Sequence, residues 1–177
     1  MKRARHKKAK LDSIKMLVLD VDGVLTNGTL ILNPDGKESK AFNVYDGHGI
    51  RMWRRAGLQV AFLSGRKSEP THLRAEQLEV DRCLENCLDK LPAFKKLLED
   101  LKLEPAQAAF IGDDLPDIPP MRYAGFAVAV ANAVDEVKEY ADFVTKRSGG
   151  SGAVREVIEY ILKKTGKWDE LMTRYIS

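Results

Sequence analysis

The residues of this chain that could do chemistry fall into four small polar clusters. Asp20 and Asp22 stand two apart in D-V-D-G, directly behind the apolar run 16–19. Ser64 opens S-G-R behind the run 58–63, and Lys90 follows the short run 82–84. Asp113, Asp114 and Asp117 crowd into G-D-D-L-P-D behind 107–111. Residues two apart on a strand point to one side, so Asp20 and Asp22 share a pocket if extended geometry runs on through Asp22. Two carboxylates that close repel each other, and burial sharpens the repulsion. They coexist when a cation lies between them or when one keeps a proton. A hard, oxygen-seeking cation such as Mg²⁺ suits the pair. Plainer readings exist for each cluster: D-x-D-G as a surface turn, Ser64 as a helix cap, Lys90 as a surface charge and G-D-D-L-P-D as an acidic turn. Their common position behind strand-like runs is what argues for a site.

Bringing such clusters together requires strands whose ends lie along one edge. Short runs rich in Val, Leu, Ile and Ala at 16–19, 58–63, 107–111 and 126–130 read as buried strands, with shorter ones at 82–84 and 143–144. Between them the spacing predicts helices over 46–57, 69–78, 90–101, 134–140 and 153–164. A further helix runs to about Ala124 and should be broken or delayed at Pro119-Pro120. Residues 28–43 hold two strand-like runs around N-P-D-G and predict a β-hairpin beside the pocket. Residues 147–152, R-S-G-G-S-G, read as a flexible loop. Strands alternating with helices imply a parallel sheet covered on both faces. Such sheets bind ligands beyond the C-terminal ends of their strands.

With 177 residues, 44% hydrophobic and 31% charged, the chain suits one globular domain with a sizeable core. No apolar run approaches the length of a membrane span, and the basic N-terminus lacks the apolar segment of a secretory signal, so a cytoplasmic location is expected. The formal net charge of +3 is a property of the N-terminus: six of the first ten residues are Lys or Arg, and the rest carry 23 basic against 26 acidic groups. Residues 1–13 are therefore expected to be a basic, disordered arm, 14–165 the folded domain and 166–177 a C-terminal tail. Neither a membrane nor a nucleic-acid partner is expected. Cys83 and Cys87 are too few for a zinc site or a disulfide framework, and read as reduced, partly buried thiols.

The order D-V-D-G-V, S-G-R, Lys90 and G-D-D-x-x-D resembles the haloacid dehalogenase superfamily of phosphotransferases. The stretches K-A-F-N-V-Y-D-G-H-G-I-R, S-G-R-K, G-D-D-L-P-D and S-G-G-S-G-A-V-R-E further resemble the 3-deoxy-D-manno-octulosonate 8-phosphate phosphatase family, from about Ile14 to the C-terminus. The resemblance implies a three-layer, Rossmann-like α/β fold with a small β-hairpin flap and no cap domain. It implies Asp20 as nucleophile, forming an aspartyl phosphate, and Asp22 as general acid and then base. Mg²⁺ would be held by Asp20, the Asp22 backbone carbonyl and Asp113. Ser64 and Lys90 would hold the phosphoryl oxygens, with Asp114 behind them orienting Lys90 or a metal-bound water, and with Asp117 in a less defined supporting place. Asp22, Asn43, Tyr45, Asp46, Gly47, Arg51, Gly65, Arg66, Arg74 and Lys90 match positions the family uses for substrate. For Arg51, Arg66 and Arg74 the plainer reading is a surface charge. Tyr45 departs from the arginine frequent at that position, which bears on the sugar more than on the reaction.

The implied reaction is Mg²⁺-dependent hydrolysis of 3-deoxy-D-manno-octulosonate 8-phosphate, a step toward lipopolysaccharide precursors. The alternative within the same scaffold is a phosphatase of a nine-carbon, sialic-type sugar acid 9-phosphate. A different class is a regulatory domain that only accepts a phosphoryl group, against which Asp22 speaks, since it would speed hydrolysis of the acyl phosphate. A non-catalytic partner or nucleic-acid module is suggested by the basic arm alone. With only a hairpin to cover the site, closure by another subunit is expected, and the resemblance implies a homotetramer. The 147–152 loop and the tail with Trp168, Leu171, Met172 and Tyr175 are candidate interface segments.

Overall fold

Four apolar residues, Met16–Leu19, form β1, and all four are completely buried. The computed structural model, which describes residues 10–176, continues through a flap of β2 (Ile31–Leu32) and β3 (Glu38–Ser39) to α1 (Val44–Arg55). Next come β4 (Gln59–Leu63), α2 (Glu69–Gln77), β5 (Arg82–Leu84), α3 (Lys90–Asp100), β6 (Ala108–Gly112) and α4 (Ile118–Tyr123). The last elements are β7 (Phe126–Ala129), α5 (Asp135–Lys138), β8 (Phe143–Val144), α6 (Ala153–Lys164) and α7 (Trp168–Ile176).

Six strands form one parallel sheet in the order β5-β4-β1-β6-β7-β8. β1 pairs with β4 (Met16 opposite Gln59) and with β6 (Met16 opposite Ala108). Buried on both faces, these strands are continuous apolar runs rather than alternating ones. α1 packs with α6 over one face, and α3 packs with α4 over the other. Trp53, Phe62, Phe94 and Phe110 are among the largest fully buried side chains, and the Trp53 indole N–H is met by the Gln59 carbonyl (2.8 Å). From β1 the chain first builds outward through β4 and β5, then returns to build β6, β7 and β8 on the other side. The order therefore reverses between β1 and β6, and a crevice opens at such a reversal beyond the strand ends.

Several local expectations are corrected. α1 starts at Val44 because the Asn43 side chain accepts from the Tyr45 and Asp46 amides, at 2.8 and 3.4 Å. Pro119 and Pro120 do not break α4; they lie in its first turn, where the missing N–H has no helical partner to lose. The hairpin is real but its strands are two residues each. The 166–177 tail is largely helix α7, joined to α1 by Tyr175. Of the expected arm, residues 1–9 lie outside the described residues. Leu11–Ser13 form a 3-10 turn, with Leu11 against the core and Ser13 Oγ bonded to the Ala106 carbonyl (3.1 Å).

Candidate active site

The pairing of β1 with β6 runs one residue beyond β1, where the Asp20 amide donates to the Ile111 carbonyl (3.0 Å). This fixes Asp20 at the reversal point, only 5% exposed. Lys90 is the first residue of α3, whose N-terminus Asp89 caps through the Leu91 amide (3.3 Å). From there its ammonium reaches Asp20 Oδ1 at 2.5 Å and Asp117 Oδ1 at 2.6 Å. The other Asp117 oxygen accepts from the Asp113 and Asp114 amides, at 3.0 and 3.3 Å. Asp117, not Asp114, is thus the carboxylate that holds Lys90. Asp114 is exposed, and its Oδ1 accepts from the Leu115 amide (2.8 Å), capping the 3-10 turn Leu115–Asp117. That turn carries Asp117 inward and leaves Asp114 outside it.

Charge at this point is unbalanced. Burial, and then the Asp117 charge, push the Asp20 carboxyl well above the usual carboxylate range. The same two causes raise Asp113 to about 6. Burial opposes the Lys90 charge, but Asp20 and Asp117 outweigh it and hold its pKa above the ordinary lysine value. Three carboxylates around one ammonium leave an excess of negative charge that a second cation would relieve.

The side chains fit such a cation. Asp20, Asp113 and Asp117 each offer an oxygen within 4.8 Å of the others. Both Asp117 oxygens are taken, whereas Asp113 Oδ1 is buried without a hydrogen-bond partner. Gly23, at φ +105°, leaves the space: a Cβ there would fall on the Asp113 carboxylate. Asp20 and Asp113 are therefore the pair able to hold a hard divalent ion, and their oxygen donors suit Mg²⁺.

Ser64 is buried just past the end of β4, the strand next to β1, its amide bonded to the Leu84 carbonyl (2.8 Å). Its hydroxyl oxygen accepts from the Arg66 amide (3.2 Å), which leaves the hydroxyl proton free to donate. Gly65 lies against the Cys87 carbonyl, where a Cβ would have only van der Waals contact. Asp22 faces two cations: Lys40 Nζ at 2.7 Å from Oδ1 and Arg66 Nη1 at 3.9 Å from Oδ2. Arg66 also donates to Glu38 of the flap (2.7 Å). Lys40 and Glu38 escaped the sequence reading because a hairpin pattern marks them only as polar strand residues. Their spacing of two, at and just past β3, was the available signal for a shared side.

The remaining predicted substrate residues form a second group around the N-terminus of α1. Gly47 lets the Arg74 guanidinium lie against the helix, since a Cβ would overlap it. Arg74 donates to the Asn43 carbonyl (3.2 Å) and to Gln77 Oε1 (2.6 Å), and Arg51 donates to the Gln77 carbonyl (2.8 Å). Tyr45 is 66% exposed. Asp46 is a correction: only 1% exposed, it accepts from the Gly152 and Arg155 amides at 3.2 and 2.8 Å. Its carboxylate caps the start of α6, where the helix dipole favours an anion, and it has no surface for a substrate. The 147–152 loop is also not free. The Gly149 amide donates to Asn132 Oδ1 (2.6 Å), Asn132 Nδ2 donates to the Gly23 carbonyl (3.2 Å), and the Gly150 amide donates to the Val24 carbonyl (3.0 Å). The loop thus walls the turn after β1 within its own chain. Asn43 Nδ2 donates to Gly150 O (3.3 Å), which joins the second group to this wall.

Residues 83–158 match the family model described as haloacid dehalogenase-like hydrolase. The chain is 44% identical, over 92% of its length and 86% of the relative's, to the 3-deoxy-D-manno-octulosonate 8-phosphate phosphatase of Escherichia coli. The chain belongs to the 3-deoxy-D-manno-octulosonate 8-phosphate phosphatase family. Among solved structures of that phosphatase, one from Moraxella catarrhalis holds a magnesium ion, a phosphate ion and a KDO molecule. It superposes with a TM-score of 0.92 at 38% identity, covering 94% of this chain and 95% of that one. A cobalt-bound form from Haemophilus influenzae gives 0.87 at 40% identity, covering 89% and 92%. This member of the phosphatase family therefore has the fold of metal-bound relatives.

Proposed function

We propose that this chain is a Mg²⁺-dependent phosphatase that converts 3-deoxy-D-manno-octulosonate 8-phosphate to the free sugar acid and phosphate. The observation that carries the reading is the buried Asp20 carboxylate at the β1/β6 reversal, with Lys90 at 2.5 Å and the unpartnered Asp113 oxygen opposite. The relatives' substrate and metal, transferred to this site, match its donor set. The carboxylate of Asp20 attacks phosphorus, and the bond from phosphorus to the sugar oxygen breaks. Asp22 gives its proton to that departing oxygen, then takes a proton from the water that hydrolyses the aspartyl phosphate. Ser64 and Lys90 donate to the phosphoryl oxygens as their charge rearranges. Bound by Asp20, the Asp22 backbone carbonyl and Asp113, Mg²⁺ supplies positive charge that offsets the repulsion between nucleophile and phosphate.

The same reading puts the reaction in the cytoplasm and the site in a homotetramer. No helix among the described residues is long and apolar enough to cross a membrane, and the free thiols Cys83 and Cys87 suit a reducing compartment. Leu30, Ile31 and Leu32 of the flap are 45%, 48% and 72% exposed, apolar surface that a second copy would cover.

The test is phosphate release from a panel of eight- and nine-carbon sugar-acid phosphates and common hexose phosphates. The eight-carbon ester should be preferred, chelation by EDTA should abolish turnover, and Asp20→Asn should lower kcat by more than about 1,000-fold. Preference for a nine-carbon ester would move the substrate, and normal turnover by Asp20→Asn would remove the mechanism.

A further inference from the structure

Lys40 is a buried charge to which the reaction scheme above gives no task. Its side chain has no exposed surface, and its Nζ lies 2.7 Å from Asp22 Oδ1, 3.2 Å from Thr71 Oγ1 and 3.8 Å from Glu38 Oε1. An ammonium withdrawn from water persists only where oxygens meet its protons, and here the oxygens come from three separate places. Asp22 lies in the turn after β1, Thr71 on α2 and Glu38 on β3. Lys40 itself closes the flap. One side chain thus ties the flap to the acid–base carboxylate and to the body of the domain.

We propose that Lys40 is a positioning residue for Asp22, its buried ion pair holding the carboxyl in the orientation that faces the leaving oxygen. The inference rests on the phosphatase reading above and goes deeper into the same site. Asp22 Oδ1 is buried, and what holds it is the charge of the ammonium 2.7 Å away rather than a hydrogen bond. The other oxygen, Oδ2, is held less closely, since Arg66 Nη1 at 3.9 Å is beyond hydrogen-bond reach. The first step then balances simply. The proton leaves the Asp22 carboxyl for the sugar oxygen as the bond to phosphorus breaks, and Asp22 is left as a carboxylate beside Lys40. In the second step water attacks phosphorus, the bond from phosphorus to Asp20 breaks, and the water proton returns to the Asp22 carboxylate. With the ammonium buried beside Oδ1, turning the carboxyl away from the leaving oxygen would separate the ion pair. Without that pair, a displacement of about 1 Å is enough to cost about 100-fold in rate. The flap then does more than cover the site: it supplies the charge that aims the acid.

The leaving group distinguishes aiming from mere support. A sugar alkoxide needs a proton as it departs, whereas p-nitrophenolate does not, and kcat/KM reports only the steps through that first cleavage. Lys40→Met should lower kcat/KM for 3-deoxy-D-manno-octulosonate 8-phosphate by about 10- to 100-fold, and for p-nitrophenyl phosphate by less than about threefold. Lys40→Arg, which keeps a cationic donor, should bring the ratio of the two back to within about threefold of wild type. Should the methionine variant not fold, Lys40→Gln, too short to reach Oδ1, gives the same comparison. Equal losses on both esters, or no loss on either, would overturn the proposal. A wild-type chain that cleaves neither ester overturns the phosphatase reading and the proposal with it.

Discussion

One ammonium shared by two carboxylates sets the geometry at the centre of the site, and the two carboxylates are not equivalent. Asp20 has one oxygen on Lys90, while Asp117 has one oxygen on Lys90 and the other on two backbone amides. Asp117 therefore braces Lys90 against the turn that carries Asp113, with both of its oxygens engaged. Asp117→Ala would leave those amides and half of the Lys90 charge unanswered. Each unsatisfied buried partner costs about 1–3 kcal/mol, so a clear fall in Tm is expected. Activity should fall with it, through a displaced Lys90, whereas Asp114→Ala should leave Tm near wild type. A melt of the two variants side by side checks this, and equal stability would mean that Asp117 is not the brace.

At the scale of the elements, α7 is attached through a titrating group. His48 on α1 has its Nδ1 3.0 Å from Arg155 Nη1 and its Nε2 2.9 Å from the Tyr175 hydroxyl. Arginine only donates, so Nδ1 must accept and the imidazole must be neutral with its proton on Nε2. Arg55 donates to the same hydroxyl at 2.8 Å. Burial, and then the charges of Arg155, Arg55 and Arg51, hold the His48 pKa below the usual histidine value. The unfolded chain therefore takes up this proton more readily than the folded one. The contribution of His48 is complete above the ordinary histidine pKa and is lost as pH falls through it toward the lowered one. Limited proteolysis or hydrogen exchange should find α7 protected at pH 8 and opening near pH 5.5, an effect about as large as a local opening equilibrium allows. In His48→Gln, protection that still changes with pH over this range would assign the effect elsewhere.

At the scale of the whole molecule, the flap presents apolar side chains where a solitary domain would place polar ones. Leu32 is 72% exposed and Val44, at the start of α1, is 79% exposed. Covering a leucine is worth about 1.5–3 kcal/mol, and a symmetric assembly repeats that gain at each contact. Leu32→Asp should shift the sedimentation profile from the proposed tetramer to smaller species and lower kcat/KM, with the fold of each chain intact by circular dichroism. A wild-type chain that sediments as a monomer would remove the assembly from the reading.

The strands, their alternation with helices and the four chemical clusters were legible in the sequence because each is local. An apolar run marks a strand, and a D-x-D-G or G-D-D motif marks the polar turn at its C-terminal end. The use of Asp117, Asp46, Lys40 and the 147–152 loop was not legible, because each is defined by a partner far away in the chain. Asp117 and Asp114 are three residues apart in one acidic turn, and only the inward winding of that turn decides which meets Lys90. Asp46 reads as a free carboxylate until α6 brings its amides to it, 106 and 109 residues later. Local pattern is set by what each residue prefers; pairing of buried charges is set by which elements the sheet brings to one edge, and that only the assembled fold decides.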